Sequence, residues 1–204
     1  MIALASVSVP REAEALLRRA LASPSMNSQL AVPGLSTLGD LRFAAGDRPG
    51  AVSCWRLALK HAELARGADS DEVAKILFSL SQVVDPQEAV TLLERALTIA
   101  QRAWGEPHPE TATCEINLAN ALLKARRPAD AAERARHGLA GFEASLGPRH
   151  PRTAVALNTF AEAMRAQGNL PAAEALNRRA LEINALANAA LTKAAGPARP
   201  PASK

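Results

Sequence analysis

Gly105-Glu-Pro-His108-Pro109-Glu-Thr111-Ala112 recurs 42 residues downstream as Gly147-Pro-Arg-His150-Pro151-Arg-Thr153-Ala154, with Gly, His, Pro, Thr and Ala in register. A fixed period of about 20 to 50 residues outranks any local reading of secondary structure. The register holds beyond the quoted stretch: Leu118-Ala119 meets Phe160-Ala161, Leu122 meets Met164, Ala131 meets Ala173, and Leu139 meets Leu181. Followed backward from Ala131, it finds small residues at Ala89, Ala51 and Ala13, at steps of 42, 38 and 38. The same spacing connects Ala180, Gly138, Ala96, Ala58 and Ala20. Ala13 to Leu21 nearly copies Ala173 to Leu181, so five second helices and only four first helices are expected.

Within a unit the apolar spacing is helical. Val73, Ile76, Leu77 and Leu80 mark one stripe, and Ala89, Leu92, Leu93, Ala96 and Leu97 mark the next. Breakers fall between stripes at Gly46 to Gly50, Asp85-Pro86, Arg127-Pro128 and Gly168 to Pro171, each with a Pro where a second helix can start. Such short turns make the paired helices antiparallel neighbours. The expected helices are 10–22, 32–45, 48–66, 70–83, 86–104, 109–125, 128–146, 151–167 and 170–191. Composition agrees: 46 Ala, six aromatic residues and no Tyr favour helices over strands.

The first full unit reads Leu38-Gly39, Gly46, Ala51, Trp55 and Ala58 at the spacing of the tetratricopeptide signature, and it resembles that repeat closely. The last two units resemble the 42-residue variety of kinesin light chains. The residues that carry this are Leu146-Gly147-Pro-Arg-His150-Pro151-Arg-Thr-Ala154, Leu157-Asn158-Thr-Phe160-Ala161, Ala173-Glu174 and Arg179-Ala180-Leu181. The usual first-helix Tyr is replaced by Leu80, Leu122 and Met164, and Arg126 stands where a turn Gly is expected. The resemblance implies an all-α, right-handed α-solenoid of antiparallel helix hairpins, with a concave face lined by first helices that holds a protein or peptide. The expected organisation is a leading second-helix copy with linker at 1–31, four repeats at about 32–69, 70–107, 108–149 and 150–191, and a disordered tail at 192–204.

Several function classes are set aside. No apolar stretch is long enough to span a bilayer, so no membrane association is expected. Met1 to Pro10 lacks a basic leader and is followed at once by Arg11, Glu12 and Glu14, which argues against a signal peptide. Cys54 and Cys114 fit small buried hydrophobes rather than a disulfide framework or a nucleophile, and a reducing cytoplasm is the expected compartment. A phosphate-binding Gly loop, a Gly-x-Ser-x-Gly elbow and a His-Glu-x-x-His run are all missing, so neither catalysis nor a cofactor is expected. His108 and His150 repeat without a Cys or carboxylate repeating beside them, which points to ordering of the first-helix start rather than to metal. His61 and His137 are isolated. The net charge of +4 arises from 24 basic and 20 acidic residues spread along the chain. The densest basic cluster is Arg126, Arg127, Arg134, Arg136 and His137, partly repeated at Arg178 and Arg179. It reads as a solvated face, and with few aromatics to stack bases, RNA binding through these second helices is the less favoured alternative.

The candidate partner-binding residues lie on first helices. Asn117, Asn120 and Lys124 share one side of their helix, and Asn158, Glu162 and Arg165 share the corresponding side one unit later. Asn117 and Asn158 match the Asn positions of the family motif, and the resemblance implies that they donate to an extended peptide backbone. An amide can pair with a peptide in either polarity. Lys75, Phe78 and Gln82 extend this row into the second unit, and Asp40 and Phe43 into the first. The unpaired leading helix carries an apolar stripe of Leu16, Leu17 and Leu21, a candidate contact for a homodimer or a second domain. A self-assembling or regulatory module using that helix is the alternative to the groove.

Overall fold

The computed structural model describes residues 28–195. Among them are eight helices and no strand. These are α1 (Ser28–Ala44), α2 (Arg48–Arg66), α3 (Asp71–Ser81), α4 (Pro86–Trp104), α5 (Pro109–Lys124), α6 (Pro128–Leu146), α7 (Pro151–Ala166) and α8 (Leu170–Ala195). Packing divides the chain into two compact units, Met1–Trp104, which holds α1 to α4, and Gly105–Lys204, which holds α5 to α8.

In the first unit α1 packs on α2, α3 on α4, and α2 on α3. Ala51, Ala58 and Ala96 are fully enclosed and let these helices close around Trp55, Leu77, Leu80 and Ile99. Trp55 donates its indole N–H to Asp40 Oδ1 at 3.2 Å, and a Cβ on Gly39 would overlap the indole ring. The Leu38-Gly39 and Trp55 elements of the signature are therefore two sides of one contact. Ion pairs Arg56–Glu88 at 2.8 Å and Arg95–Glu63 at 2.7 Å tie α2 to α4 on the surface.

Helix α1 begins four residues before the expected start, and Pro33 lies inside it. The linker expected to reach residue 31 is corrected at this point, because residues 28–31 already belong to α1. Ala31, Val32 and Leu35 are almost wholly buried, and that burial outweighs the one backbone hydrogen bond Pro33 removes. At the other end α8 runs on to Ala195, past the expected start of the tail at 192. The leading-helix copy and residues 196–204 lie outside the described residues.

In the second unit α5 packs on α6, α6 on α7 and α7 on α8, and α5 also meets α7. The core holds Ile116, Ala119, Phe142, Leu157, Ala180 and Ile183. The repeated Gly-x-x-His-Pro-x-Thr stretch is a turn-and-cap device. Gly105 and Gly147 take φ of 70° and 95°, which an L side chain resists. His108 and His150 cap α5 and α7 by accepting from the backbone N–H of Glu110 and Arg152 through Nδ1, at 3.2 and 3.1 Å. Pro109 and Pro151 follow at the first helical position, where no N–H is needed. Buried Thr111 and Thr153 then donate Oγ1–H back to the carbonyls of Gly105 and Gly147 at 2.8 and 2.9 Å. The structural role expected for the two histidines is the one observed.

Candidate partner-binding surfaces

The residues expected to face a partner divide by unit. On α3, Lys75 is exposed and Phe78 is 40% exposed, Gln82 just past its end is exposed, and Val73, Ile76, Leu77 and Leu80 are buried. Lys75 pairs with Asp71 one turn back. Asp40 and Phe43 on α1 are exposed and also touch Trp55: Asp40 takes the Trp55 N–H, and the Phe43 ring lies 5.8 Å from the Trp55 ring.

On α5, Lys124 is exposed and Asn117 and Asn120 are half-buried. On α7, Asn158, Glu162 and Arg165 are exposed. The intervening Leu118, Leu122, Leu157 and Ala161 are buried, as an amphipathic helix requires. Helices α5 and α7 are in direct contact, and Arg152 of α7 pairs with Glu110 of α5 at 3.5 Å and also bonds Thr113. The two polar rows of the second unit thus belong to neighbouring helices. Leu16, Leu17 and Leu21 lie outside the described residues.

The arginine cluster is largely engaged within its own unit. Arg127 pairs with Asp130 at 2.7 Å, Arg134 with Glu115 at 3.5 Å, and Arg179 with Glu143. Nη2 of Arg136 stands 3.0 Å from Nε2 of His137. Cys54 is buried and Cys114 half-buried. Among the described residues no group of three His, Cys, Asp or Glu side chains is placed to hold a metal ion, and no helix is long and apolar enough to cross a membrane.

One residue that sequence reasoning passed over is Glu115. It is 2% exposed, on the inner face of α5, and lines a cleft of about 430 Å³ between α5 and α6. Neither carboxylate oxygen accepts a well-formed hydrogen bond, since Nη1 of Arg134 stands 3.5 Å away. Burial pushes the Glu115 carboxyl above the usual carboxylate range. The guanidinium of Arg134 and the ring of His137 pull it back down, and the charge of Glu106 pushes it further up. Comparing the four first helices in register would have found it: Glu115 stands where Leu35, Val73 and Leu157 stand.

A tetratricopeptide repeat family model matches residues 84–144 and 139–185. No curated protein matches the chain by sequence. Solved structures share the fold. BtubC (BKLC) from P. vanneervenii is similar over 98% of this chain and 80% of that one, at 23% identity and a TM-score of 0.80. A putative kinesin light chain of Podosopora anserina with nearly identical TPR-like repeats is similar over 88% of both chains, at 20% identity and a TM-score of 0.78. The apo form of RapI is similar over 91% of this chain and 65% of that one, at 14% identity and a TM-score of 0.74. The fold class is the all-α tetratricopeptide solenoid of antiparallel helix hairpins, with repeats like those of kinesin light chains, and the chain belongs to the tetratricopeptide repeat family.

Proposed function

We propose that this chain is a non-catalytic scaffold that binds a protein or peptide partner on the first-helix face of the second unit. Asn117, Asn120 and Lys124 of α5 and Asn158, Glu162 and Arg165 of α7 supply the contacts. The observation that carries the reading is that these six polar side chains sit outside the core on two helices in direct contact. The Asn amides can serve both N–H and C=O groups of an extended backbone, and Lys124, Glu162 and Arg165 select its charges. Membership of a repeat family whose stacked hairpins present extended surfaces supports the reading. Lys75 and Phe78 on α3 and Gln82 at its end offer a second patch of the same kind. Two cysteines and no disulfide framework fit a cytoplasmic setting. Internal pairing of Arg127, Arg134, Arg136 and Arg179 weighs against nucleic acid as the partner.

The test is to select peptide ligands for the full chain by display and titrate them against variants. Lys124→Glu combined with Arg165→Glu should weaken the selected peptides by at least about tenfold, whereas Arg178→Glu on α8 should leave them unchanged. Equal affinity for the double variant and the parent would overturn the reading.

A further inference from the structure

The second helices α2, α4 and α6 share an apolar stripe, and α8 departs from it. Asn177 stands where Trp55, Leu93 and Ala135 are buried, and Asn184 stands where Ala62, Ala100 and Phe142 are buried. On α6 this stripe looks toward α7, whose Arg152 guanidinium lies 5.0 Å from the centre of the Phe142 ring. Leu181 keeps the apolar type of its counterparts Leu59, Leu97 and Leu139, but it is 68% exposed where Leu139 is 8% exposed. Asn184 is exposed and Asn177 half-buried, and Leu170, three turns before Leu181 on the same side, is also exposed. We propose that this stripe of α8 is a contact between two copies of the chain, packed antiparallel about a two-fold axis at Leu181.

The chemistry of the stripe selects a second copy. A further hairpin of the same kind is a poor occupant, because its apolar first helix would strip water from Asn177 and Asn184 without replacing their hydrogen bonds. Residues 177, 181 and 184 are spaced by four and three, the spacing of a seam between paired helices, where a polar amide fixes the register. A two-fold axis sets a surface against itself, so the residues nearest the axis must tolerate their own kind. Leucine and asparagine do: the two Leu181 side chains meet at the axis, and the Asn177 amide of one copy both donates to and accepts from the Asn184 amide of the other. The one charge on the stripe, Glu174, lies seven residues from Leu181. The two copies of Glu174 are then about 20 Å apart, beyond the screening length of about 8 Å at physiological salt. Val155 of α7, 56% exposed, extends the face, since it stands where Thr113 of α5 meets Arg152 of the following helix. Helix α8 has 26 residues and α7 has 16. At a rise of about 1.5 Å per residue and a width of about 10 Å, their outward sides offer roughly 600 Å² per copy, which places a pair at the lower bound of specific interfaces. A weak, reversible dimer is the expected result. Leu170, Asn177, Leu181 and Asn184 are not among the six side chains assigned to the partner, so failure of one reading leaves the other standing.

The test is sedimentation velocity on the full chain from about 1 to 500 µM, the range that a face of this size implies. A concentration-dependent equilibrium between monomer and dimer is expected. Leu181→Arg sets like charges together at the axis and should weaken the dimer by at least about tenfold. The variant should melt as the parent does, because the side chain is 68% exposed. Leu64→Arg on α2, at a side chain 71% exposed, should leave the dimer unchanged. Asn177→Asp should weaken it, and adding Asn184→Lys to the same chain should restore it, because the axis opposes these two positions between copies. A monomer at every concentration would overturn the proposal, and so would a double variant no tighter than Asn177→Asp alone. A dimer that survives Leu181→Arg but is lost in Leu17→Glu would also overturn it and would assign the contact to the leading helix.

Discussion

The third and fourth hairpins share a 42-residue register and the same glycine, histidine and threonine device at the start, yet their interiors differ in kind. The fourth packs Leu157, Leu176 and Ile183 where the third has Glu115, Arg134 and Gly141. The turn also differs: Gly168 takes φ of 82°, and Arg126 is forced to φ of 61°. The lesson is that the capping loop and the small residues at Ala131, Gly138, Ala173 and Ala180 maintain helix placement. One interior layer can then change from apolar to polar without loss of the hairpin.

The comparison can be broken by exchanging that layer. Leu157→Glu puts a carboxylate at a fully buried site of the fourth hairpin, opposite Leu176 rather than an arginine. It should cost about 3 to 5 kcal/mol, read from chemical denaturation, and adding Leu176→Arg should recover part of the loss. A cost below about 1 kcal/mol would mean that the fourth hairpin tolerates a buried charge as well as the third. A smaller effect is expected at the seam that both hairpins share. Ala173 is 1% exposed, and Ala173→Leu should overpack it by about 1 to 3 kcal/mol, seen as a lower Tm. The smallest effect lies in the turn. Arg126→Gly relieves a left-handed side chain and should raise stability by about 0.5 to 1 kcal/mol after the added freedom of the unfolded chain is counted. Gly168→Arg should lower it by a similar amount, and two neutral results would show that the turns are equivalent.

Much of the fold was legible because its determinants are local. Glycine at positive φ, histidine as a cap, proline at the first helical position and threonine tied back to the turn each leave a residue-specific mark at fixed spacing. The start of α1 was misread because Pro33 signals a break locally, and only the burial of Ala31 and Val32 reverses that signal. The placement of Lys124 on α5 and of Asn158, Glu162 and Arg165 on α7 outside the core was legible from amphipathic spacing, with Asn117 and Asn120 half-buried beside them. Glu115 was not, because a charged residue on a helix reads as solvated until its register partners Leu35, Val73 and Leu157 are set beside it. Whether a side chain is inside depends on the facing helix, and the space beside Gly141 is a property of the pair α5 and α6.

The most direct test of the polar layer is the difference in Tm between the parent chain and Glu115→Gln as a function of pH. Burial raises the folded-state pKa of Glu115 above its ordinary value of 4.5, so the folded chain holds this proton more tightly than the unfolded chain. The resulting contribution to stability is fully present below pH 4.5 and is lost as pH rises through the raised folded value. Arg134 and His137 of α6 and Glu106 ahead of α5 face the same carboxyl, and they are common to both proteins. The account predicts that the parent gains Tm relative to Glu115→Gln as pH falls from neutrality, levelling off near pH 4.5. A difference that stays flat, or that falls on acidification, would contradict it.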